Sequence, residues 1–231
     1  MKIPIVILAG GLGTRLKHLS KNKPKALVNV AGKPFIFWQL ELLKKQGFDK
    51  IFISSGHLGN NIIKDVGDGK KFDLNINHFN DGLNLLGTGG AIKNMIKALP
   101  NYFFVMYGDT YLPINFEKVK NYFLRNNKQN TMVILKNDGK WVPSNITVLN
   151  NKIIGYSKEK NCTLAKFVDY GVSILSKEIF LKISNNIFDL KLVFNQLINE
   201  DKLIPYEVDK RFYEIGTIKS LKETEKYLNN L

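Results

Sequence analysis

A glycine-rich segment followed by basic residues lies near the start of the chain. It follows an apolar run over residues 3–8, which predicts a buried strand. Glycines let backbone N–H groups approach phosphate oxygens closely, and Arg and Lys neutralise phosphate charge. The combination predicts a polyphosphate site. Its glycines and cations are Gly10, Gly11, Gly13, Arg15, Lys23 and Lys25.

Two common phosphate loops fit this segment poorly. A Walker A loop needs Gly-Lys-Ser/Thr five residues after its first glycine, but Arg15 stands five residues after Gly10. A dinucleotide loop starting at Gly11 would need a third glycine where Leu16 stands. A glycine turn leading into a charged helix is the simpler structural interpretation.

A second glycine-rich turn occurs at Gly87, Thr88 and Gly89, where a helix is predicted to begin. Backbone amides at a helix start can hold a phosphate or a base edge. The structural alternative is that Thr88 only caps the helix.

Gly108 and Asp109 directly follow the strongly apolar segment 102–107, a predicted central strand. Open α/β sheets bind ligands at the carboxyl ends of such strands. A carboxylate there suits Mg²⁺, which takes one or two carboxylates together with phosphate oxygens. A plain turn aspartate is the structural alternative.

Strand and helix patterns alternate through the first half of the chain, which predicts an α/β fold in one domain, 1–231. Predicted strands cover 3–8, 50–54, 74–78, 102–107 and 131–135, and predicted helices cover 35–46, 57–65, 87–98 and 116–125. The second half is richer in strands. It contains strands 145–149, 152–156 and 204–208, a mixed segment 167–175, and helices 177–183, 190–199 and 217–228.

The Ala-Gly-Gly-x-Gly-Thr-Arg string over residues 9–15 resembles the signature of the sugar-1-phosphate nucleotidyltransferases, which join a nucleoside triphosphate to a sugar phosphate and release pyrophosphate. The segments 86–92 and 212–217 resemble two further motifs of the family. The resemblance implies a Rossmann-like nucleotidyltransferase fold, with a mostly parallel central sheet flanked by helices and a smaller β-rich sugar-binding part. About 1–130 would bind the nucleotide and about 131–231 the sugar phosphate.

The resemblance also implies residue roles on the nucleotide side. Arg15 would hold the pyrophosphate, and Lys25 would neutralise charge at the α-phosphate. Mg²⁺ would be held by Asp109 and by Glu214, a position where the family has aspartate. Glutamate keeps the charge but adds a methylene. The implied nucleotide-binding residues are Leu8, Ala9, Gly10, Gly11, Gly13, Thr14, Gly87, Thr88 and Gly89.

On the sugar-phosphate side, Glu159 and Lys160 match a Glu-Lys-Pro motif, with Asn161 in place of the proline. Asp169 and Gly171 stand where the family commonly has Asn-x-Gly. Aspartate keeps an acceptor but loses a donor, which suggests a sugar or an orientation different from the hexose enzymes. The implied sugar-phosphate-binding residues are Gly108, Glu159, Lys160, Asp169 and Gly171.

The Gly-Thr-Gly-Gly turn and the Asp-Tyr-Gly segment look most like the heptose-1-phosphate guanylyltransferase branch. This resemblance implies GTP and D-glycero-D-manno-heptose 1-phosphate as substrates, for capsule or lipopolysaccharide biosynthesis. A uridylyl-, thymidylyl- or cytidylyltransferase acting on another sugar or amino-alcohol phosphate remains an alternative. So does a catalytically silent nucleotide-binding regulatory subunit.

The net charge of +14 raises the question of nucleic acid, but the lysines are scattered and no nucleic-acid-binding motif accompanies them. We therefore expect no nucleic-acid partner. No apolar stretch approaches a membrane span, and the N-terminus lacks a signal-peptide pattern, so we expect no membrane association and a cytoplasmic location. The single cysteine, Cys162, has no metal-ligand or redox spacing around it. The sequence leaves open whether the protein forms a homo-oligomer.

Overall fold

The computed structural model describes residues 1–11, 23–56, 58–82, 85–157 and 164–231. The strands are β1 (Ile5–Leu8), β2 (Asn29–Val30), β3 (Lys33–Pro34), β4 (Lys50–Ser55), β5 (Asn75–Asn80), β6 (Tyr102–Tyr107), β7 (Thr110–Tyr111), β8 (Asn130–Lys136), β9 (Ile146–Leu149), β10 (Lys152–Tyr156), β11 (Phe167–Ser176), β12 (Leu203–Val208) and β13 (Tyr213–Glu214). The helices are α1 (Phe35–Lys45), α2 (Gly59–Val66), α3 (Gly87–Asn94), α4 (Phe116–Arg125), α5 (Lys177–Leu181), α6 (Leu190–Asn199) and α7 (Ile218–Leu228).

A nine-stranded sheet forms the centre of the molecule, and β1 lies in its middle. Strand β1 pairs in parallel with β4 on one side and β6 on the other, and β5 extends the sheet beyond β4. The residues of β1 are all buried, as expected for a parallel strand covered on both faces. The chain thus runs from β1 to one side and later returns to the other, which creates a topological switch point beside β1.

The two faces of the sheet carry separate hydrophobic clusters. Ile5 and Ile7 of β1 pack on the face covered by α1, α2 and α4. Val6 and Leu8 pack on the opposite face, which α3, α5 and α6 cover. Successive side chains of β1 point to opposite faces of the sheet, so the strand packs against the helices on both faces. A third cluster packs α7 against the β2–β3 hairpin and α1.

The second half of the chain adds antiparallel strands. The mixed segment 167–175 forms one ten-residue strand, β11, which pairs antiparallel with β6, β8 and β9. Asn150 and Asn151 have φ angles of 48° and 60° and make the tight β9–β10 turn. Strand β12 adds in parallel to β8. The predicted α/β class is confirmed. No helix within the described ranges is long and apolar enough to cross a membrane.

Candidate functional site

A cavity of about 300 Å³ opens beside the carboxyl ends of β1, β4 and β6. It therefore lies at the switch point of the sheet, where open α/β folds bind their ligands. The described residues that line it are Leu8, Ala9, Gly10, Gly11, Lys25, Ala26, Ser54, Asp81, Leu85, Gly87, Thr88, Ala91, Tyr107, Gly108, Asp109 and Asp189.

The floor of this cavity is main chain held very close together. The Gly108 N–H donates to the Leu8 carbonyl at 2.9 Å, and the Ala9 N–H donates to Ser54 O at 2.7 Å. A Cβ at Gly108 would lie 2.8 Å from Leu8 O and 2.9 Å from Ala9 Cα. Only glycine fits there without moving β1, so Gly108 sets the spacing between the ends of β1 and β6.

Lys25 and Asp109 form an ion pair in the cavity wall, with Lys25 Nζ 2.7 Å from Asp109 Oδ2. Lys25 begins a single 3-10 turn, Lys25–Leu27, whose Ala26 and Leu27 are buried. The Lys25 side chain is 16% exposed and that of Asp109 38%. The Thr110 hydroxyl donates to Asp109 Oδ1 at 3.1 Å. The wall thus presents a partly desolvated ammonium beside a carboxylate, a pair suited to phosphate and to a phosphate-bound cation.

Glu214 is brought beside Asp109 by a short ladder between β7 and β13. Glu214 pairs with Thr110, and the Ile215 N–H donates to the Asp109 carbonyl at 3.0 Å. The Glu214 carboxylate lies over Gly216, where a Cβ would be 3.0 Å from Glu214 Oε2. Glu214 flanks Asp109 without lining the cavity itself. Within the described residues no cluster of three or more His, Cys, Asp or Glu could hold a metal ion.

The second glycine-rich turn packs against the segment before α6. Gly87 has a φ of 73°, and a Cβ there would lie 2.5 Å from Phe188 O. The Thr88 hydroxyl donates to Asp189 Oδ2 at 3.1 Å and accepts from the Leu190 N–H at 2.8 Å. The turn is therefore fixed to the start of α6, and Thr88 does not cap its own helix.

Gly89 packs closely against Phe188. Its N–H donates to Phe188 O at 2.9 Å, and a Cβ there would lie 2.3 Å from Phe188 Cε2. Gly89 does not line the cavity. The missing side chain at Gly89 lets α3 pack on Phe188.

Two acidic residues that the motif analysis did not single out also line the cavity. Asp81 directly follows β5, and burial raises the pKa of its carboxyl group. It accepts from the Leu86 N–H and, at 3.4 Å, from Asn94 Nδ2. Asp189 caps α6 by accepting from the Lys191 N–H at 2.8 Å. The predicted strand 74–78 ends three residues before Asp81, so its place at the strand end was not predicted, and Asp189 reaches the cavity only through tertiary packing.

Asp169 lies behind the cavity wall. Its Oδ2 is 3.5 Å from the Tyr107 hydroxyl and 3.4 Å from that of Tyr156, and its Oδ1 accepts from the Gly171 N–H at 2.9 Å. Burial, reinforced by the Asp169 charge, raises the pKa of both tyrosines, so their hydroxyls stay protonated and donate. Because Tyr107 lines the cavity, it connects Asp169 and Gly171 to it.

Five predicted site residues fall outside the residues that the structure describes. They are Gly13, Thr14, Arg15, Glu159 and Lys160. Of the others, the cavity brings together Leu8, Ala9, Gly10, Gly11, Lys25, Gly87, Thr88, Gly108 and Asp109.

Comparison with known proteins identifies the family of the chain. A family model described as nucleotidyl transferase matches residues 5–230. D-glycero-alpha-D-manno-heptose 1-phosphate guanylyltransferase of Campylobacter jejuni is 36% identical over 115 residues, which are 50% of this chain and 51% of that protein. N-acetylmuramate alpha-1-phosphate uridylyltransferase of Neisseria meningitidis is 38% identical over 112 residues, 48% of each chain. The chain thus aligns with about half the length of these curated relatives.

A solved structure matches over nearly the whole chain. The crystal structure of HddC from Yersinia pseudotuberculosis has a TM-score of 0.84 and 27% identity, covering 98% of this chain and 99% of that one. The same protein has also been solved in complex with GMP-PN. These matches confirm the resemblance suggested by the glycine-rich motifs. The chain belongs to the nucleotidyl transferase family.

Proposed function

We propose that this protein is a sugar-1-phosphate nucleotidyltransferase, and that the cavity beside β1 is its active site. The convergence of the β1 loop, Lys25 and Asp109 at the switch point carries the proposal. Tightly packed main chain, a partly buried ammonium and a carboxylate form a site for a triphosphate. Family membership and the HddC likeness support the reaction class.

The proposed reaction needs positioning and charge neutralisation more than covalent help from the protein. An oxygen of the sugar 1-phosphate attacks the α-phosphorus of the nucleoside triphosphate, and the bond to the β-phosphate breaks to release pyrophosphate. No general base is required, because the attacking phosphate is already ionised. Lys25 neutralises charge at the α-phosphate, and we assign Arg15 to the departing pyrophosphate.

A divalent cation fits the residues present. Asp109 offers a carboxylate in the cavity wall, and Glu214 lies on the strand that pairs with the residue after Asp109. Mg²⁺ typically takes one or two protein carboxylates and completes its shell with phosphate oxygens and water. When bound, Mg²⁺ would neutralise phosphate charge. Asp109 would hold it directly, with Glu214 as the second acidic group.

GTP is the proposed nucleotide. Asp81 and Asp189 line the same cavity as Gly87 and place hydrogen-bond acceptors in its wall. They come from different elements of the chain than Lys25. Guanine presents two adjacent donors, N1–H and the exocyclic amine, which a carboxylate can accept together. The guanylyltransferase relative supports the same base. A uridylyltransferase is the second candidate, favoured by the Neisseria relative.

For the sugar side we propose heptose 1-phosphate, bound by Gly108, Asp169 and Gly171 with Glu159 and Lys160. In this arrangement the chain is a single domain, 1–231, in which about 1–130 bind the nucleotide and about 131–231 bind the sugar phosphate. The Asp169–tyrosine cluster supports this division, because it comes from β10 and β11 and meets the nucleotide cavity at Tyr107. The product would supply surface-polysaccharide biosynthesis in the cytoplasm.

Pyrophosphate release with a panel of triphosphates and sugar 1-phosphates tests the function. We expect Mg²⁺-dependent release, fastest with GTP and D-glycero-D-manno-heptose 1-phosphate. A preference for UTP with another sugar phosphate would replace the guanylyl assignment and keep the reaction class. Nucleotide binding with no turnover for any pair would instead identify a regulatory subunit.

A further inference from the structure

Gln39 is a polar residue buried completely in the hydrophobic interior. It belongs to α1, and its neighbours Ile36, Leu40 and Leu43 on that helix are fully buried hydrophobic residues. Burying an amide without hydrogen bonds costs free energy, so an amide in such a place is expected to have a specific partner.

The partners of Gln39 are two carbonyl groups of the Asp109 turn. Gln39 Nε2 donates to Tyr107 O at 3.0 Å and to Thr110 O at 2.9 Å. An amide nitrogen has two hydrogens, and both are used here. The two carbonyls stand on either side of Gly108 and Asp109. The amide therefore joins the end of β6 to the start of β7 and closes the turn that presents Asp109.

The other end of the same amide has no comparable role. Gln39 Oε1 is buried and has no hydrogen-bond partner in the described structure. A side chain serving only to fill the core would not leave a polar atom in this state, because an apolar residue of similar volume avoids the penalty. The donor end is thus the functional end of Gln39.

Other contacts also hold the Asp109 turn: Lys25 and the Thr110 hydroxyl contact its carboxylate, and β7 pairs with β13. The main chain of the turn is held by Gly108 N–H to Leu8 O and by Ile215 N–H to Asp109 O. Neither bond reaches the carbonyls of Tyr107 and Thr110. Without the Gln39 amide these two carbonyls lose this donor, and the turn must move to hydrate or re-pair them.

We propose that Gln39 is a positioning residue that fixes the Asp109 carboxylate for divalent-cation and triphosphate binding. The proposal rests on the function proposed above, in which Asp109 holds the cation. Gln39 touches no substrate and acts only through the turn.

The test compares Gln39→Met, which keeps the volume and removes the donor, with Leu40→Met, a matched change of a buried neighbour on the same helix. Mn²⁺ binding in the presence of a non-hydrolysable GTP analogue is followed by electron paramagnetic resonance, alongside steady-state pyrophosphate release. For Gln39→Met we expect the Mn²⁺ Kd and the Mg²⁺ concentration for half-maximal activity each to rise at least about tenfold. Leu40→Met should leave both within about twofold of the parent.

A double-mutant cycle separates positioning from general damage. In the Asp109→Asn background, Gln39→Met should change Mn²⁺ binding by less than about twofold, because its effect is transmitted through that carboxylate. If Gln39→Met does not fold, Gln39→Leu also removes the donor with an apolar side chain, and the same loss of Mn²⁺ affinity is expected.

Parent-like Mn²⁺ binding by a folded Gln39→Met or Gln39→Leu protein would overturn the proposal, and so would a full Gln39→Met effect in the absence of the Asp109 carboxylate. Both results can occur in an active enzyme, which leaves the proposed function standing. A parent protein that releases no pyrophosphate with any substrate pair would instead remove the proposed function itself.

Discussion

Asp109 and Asp169 both have main-chain and side-chain contacts, but different elements anchor them. The main chain of the Asp109 turn is held by Gly108 N–H to Leu8 O, Ile215 N–H to Asp109 O and the Gln39 amide. The side chain of Asp169 is held by the hydroxyls of Tyr107 and Tyr156 and the Gly171 N–H. The first arrangement suits a rigid reaction centre, and the second suits a binding pocket that side-chain changes can adapt to another sugar.

This difference predicts that substitutions around Asp109 act on kcat, whereas substitutions around Asp169 act on the KM for the sugar phosphate. The following variants test that division, in order of decreasing effect.

Lys25→Ala removes the partly buried ammonium that pairs with Asp109. We expect kcat/KM to fall by about 10²–10³-fold, the scale for one lost charge-stabilising donor in a transition state. The matched control is Lys23→Ala, since Lys23 is exposed and does not line the cavity. Steady-state pyrophosphate release measures both variants. Equal losses for the two lysines would contradict a specific role for Lys25.

Glu214 is tested by comparing a shorter acid with a neutral isostere. Glu214→Asp keeps the charge and should retain substantial activity, whereas Glu214→Gln should lose about a hundredfold in kcat because it removes charge that offsets Mg²⁺. Activity measured across a Mg²⁺ titration distinguishes the two. Equal and mild effects would mean that Glu214 only supports the turn, through the β7–β13 ladder.

Asp81→Asn tests the acceptor proposed for guanine. The preference for GTP over UTP in kcat/KM should fall by about tenfold, or about 1.4 kcal/mol. The pKa of Asp81 is raised by burial, so its charged form is disfavoured in the folded state and stability falls as the pH rises through that pKa. Asp81→Asn should therefore melt at a higher temperature than the parent at pH 7. An unchanged GTP preference would separate Asp81 from base recognition.

Asp169→Asn restores the residue common in the resembled family. We expect the KM for the sugar phosphate to rise by roughly fivefold, the scale of one weakened hydrogen bond, with the KM for GTP unchanged. Tyr156→Phe removes one of the two hydroxyls on Asp169 and should act in the same direction. A fall in kcat at constant KM would contradict the division between the two carboxylates.

The sequence predicted best the strands and turns that depend on local residue patterns. The apolar run of β6 was predicted with its observed bounds, and the Asn150–Asn151 turn followed from turn chemistry. The segment that forms β11 was predicted to be mixed, because Asp169 and Gly171 interrupt its apolar pattern. In the structure the Gly171 N–H donates to the Asp169 carboxylate within the strand.

Long-range contacts were beyond the sequence. The β7–β13 ladder has only two residues on each strand and no periodicity, so local patterns did not predict it, and only the family resemblance related Glu214 to Asp109. Gln39 lies on the buried face of α1, where the helical pattern gives no sign of its partners on β6 and β7. The packing of Gly89 on Phe188 depends on a segment far along the chain, which the local glycine-rich motif does not indicate.

The most direct test of the account is a crystal structure of the protein with a non-hydrolysable GTP analogue and Mg²⁺. We predict the triphosphate in the cavity beside β1, with the α-phosphate near Lys25, the cation on Asp109 and guanine facing Asp81. A nucleotide bound elsewhere, with the Lys25–Asp109 pair undisturbed, would contradict the assignment of this cavity as the active site.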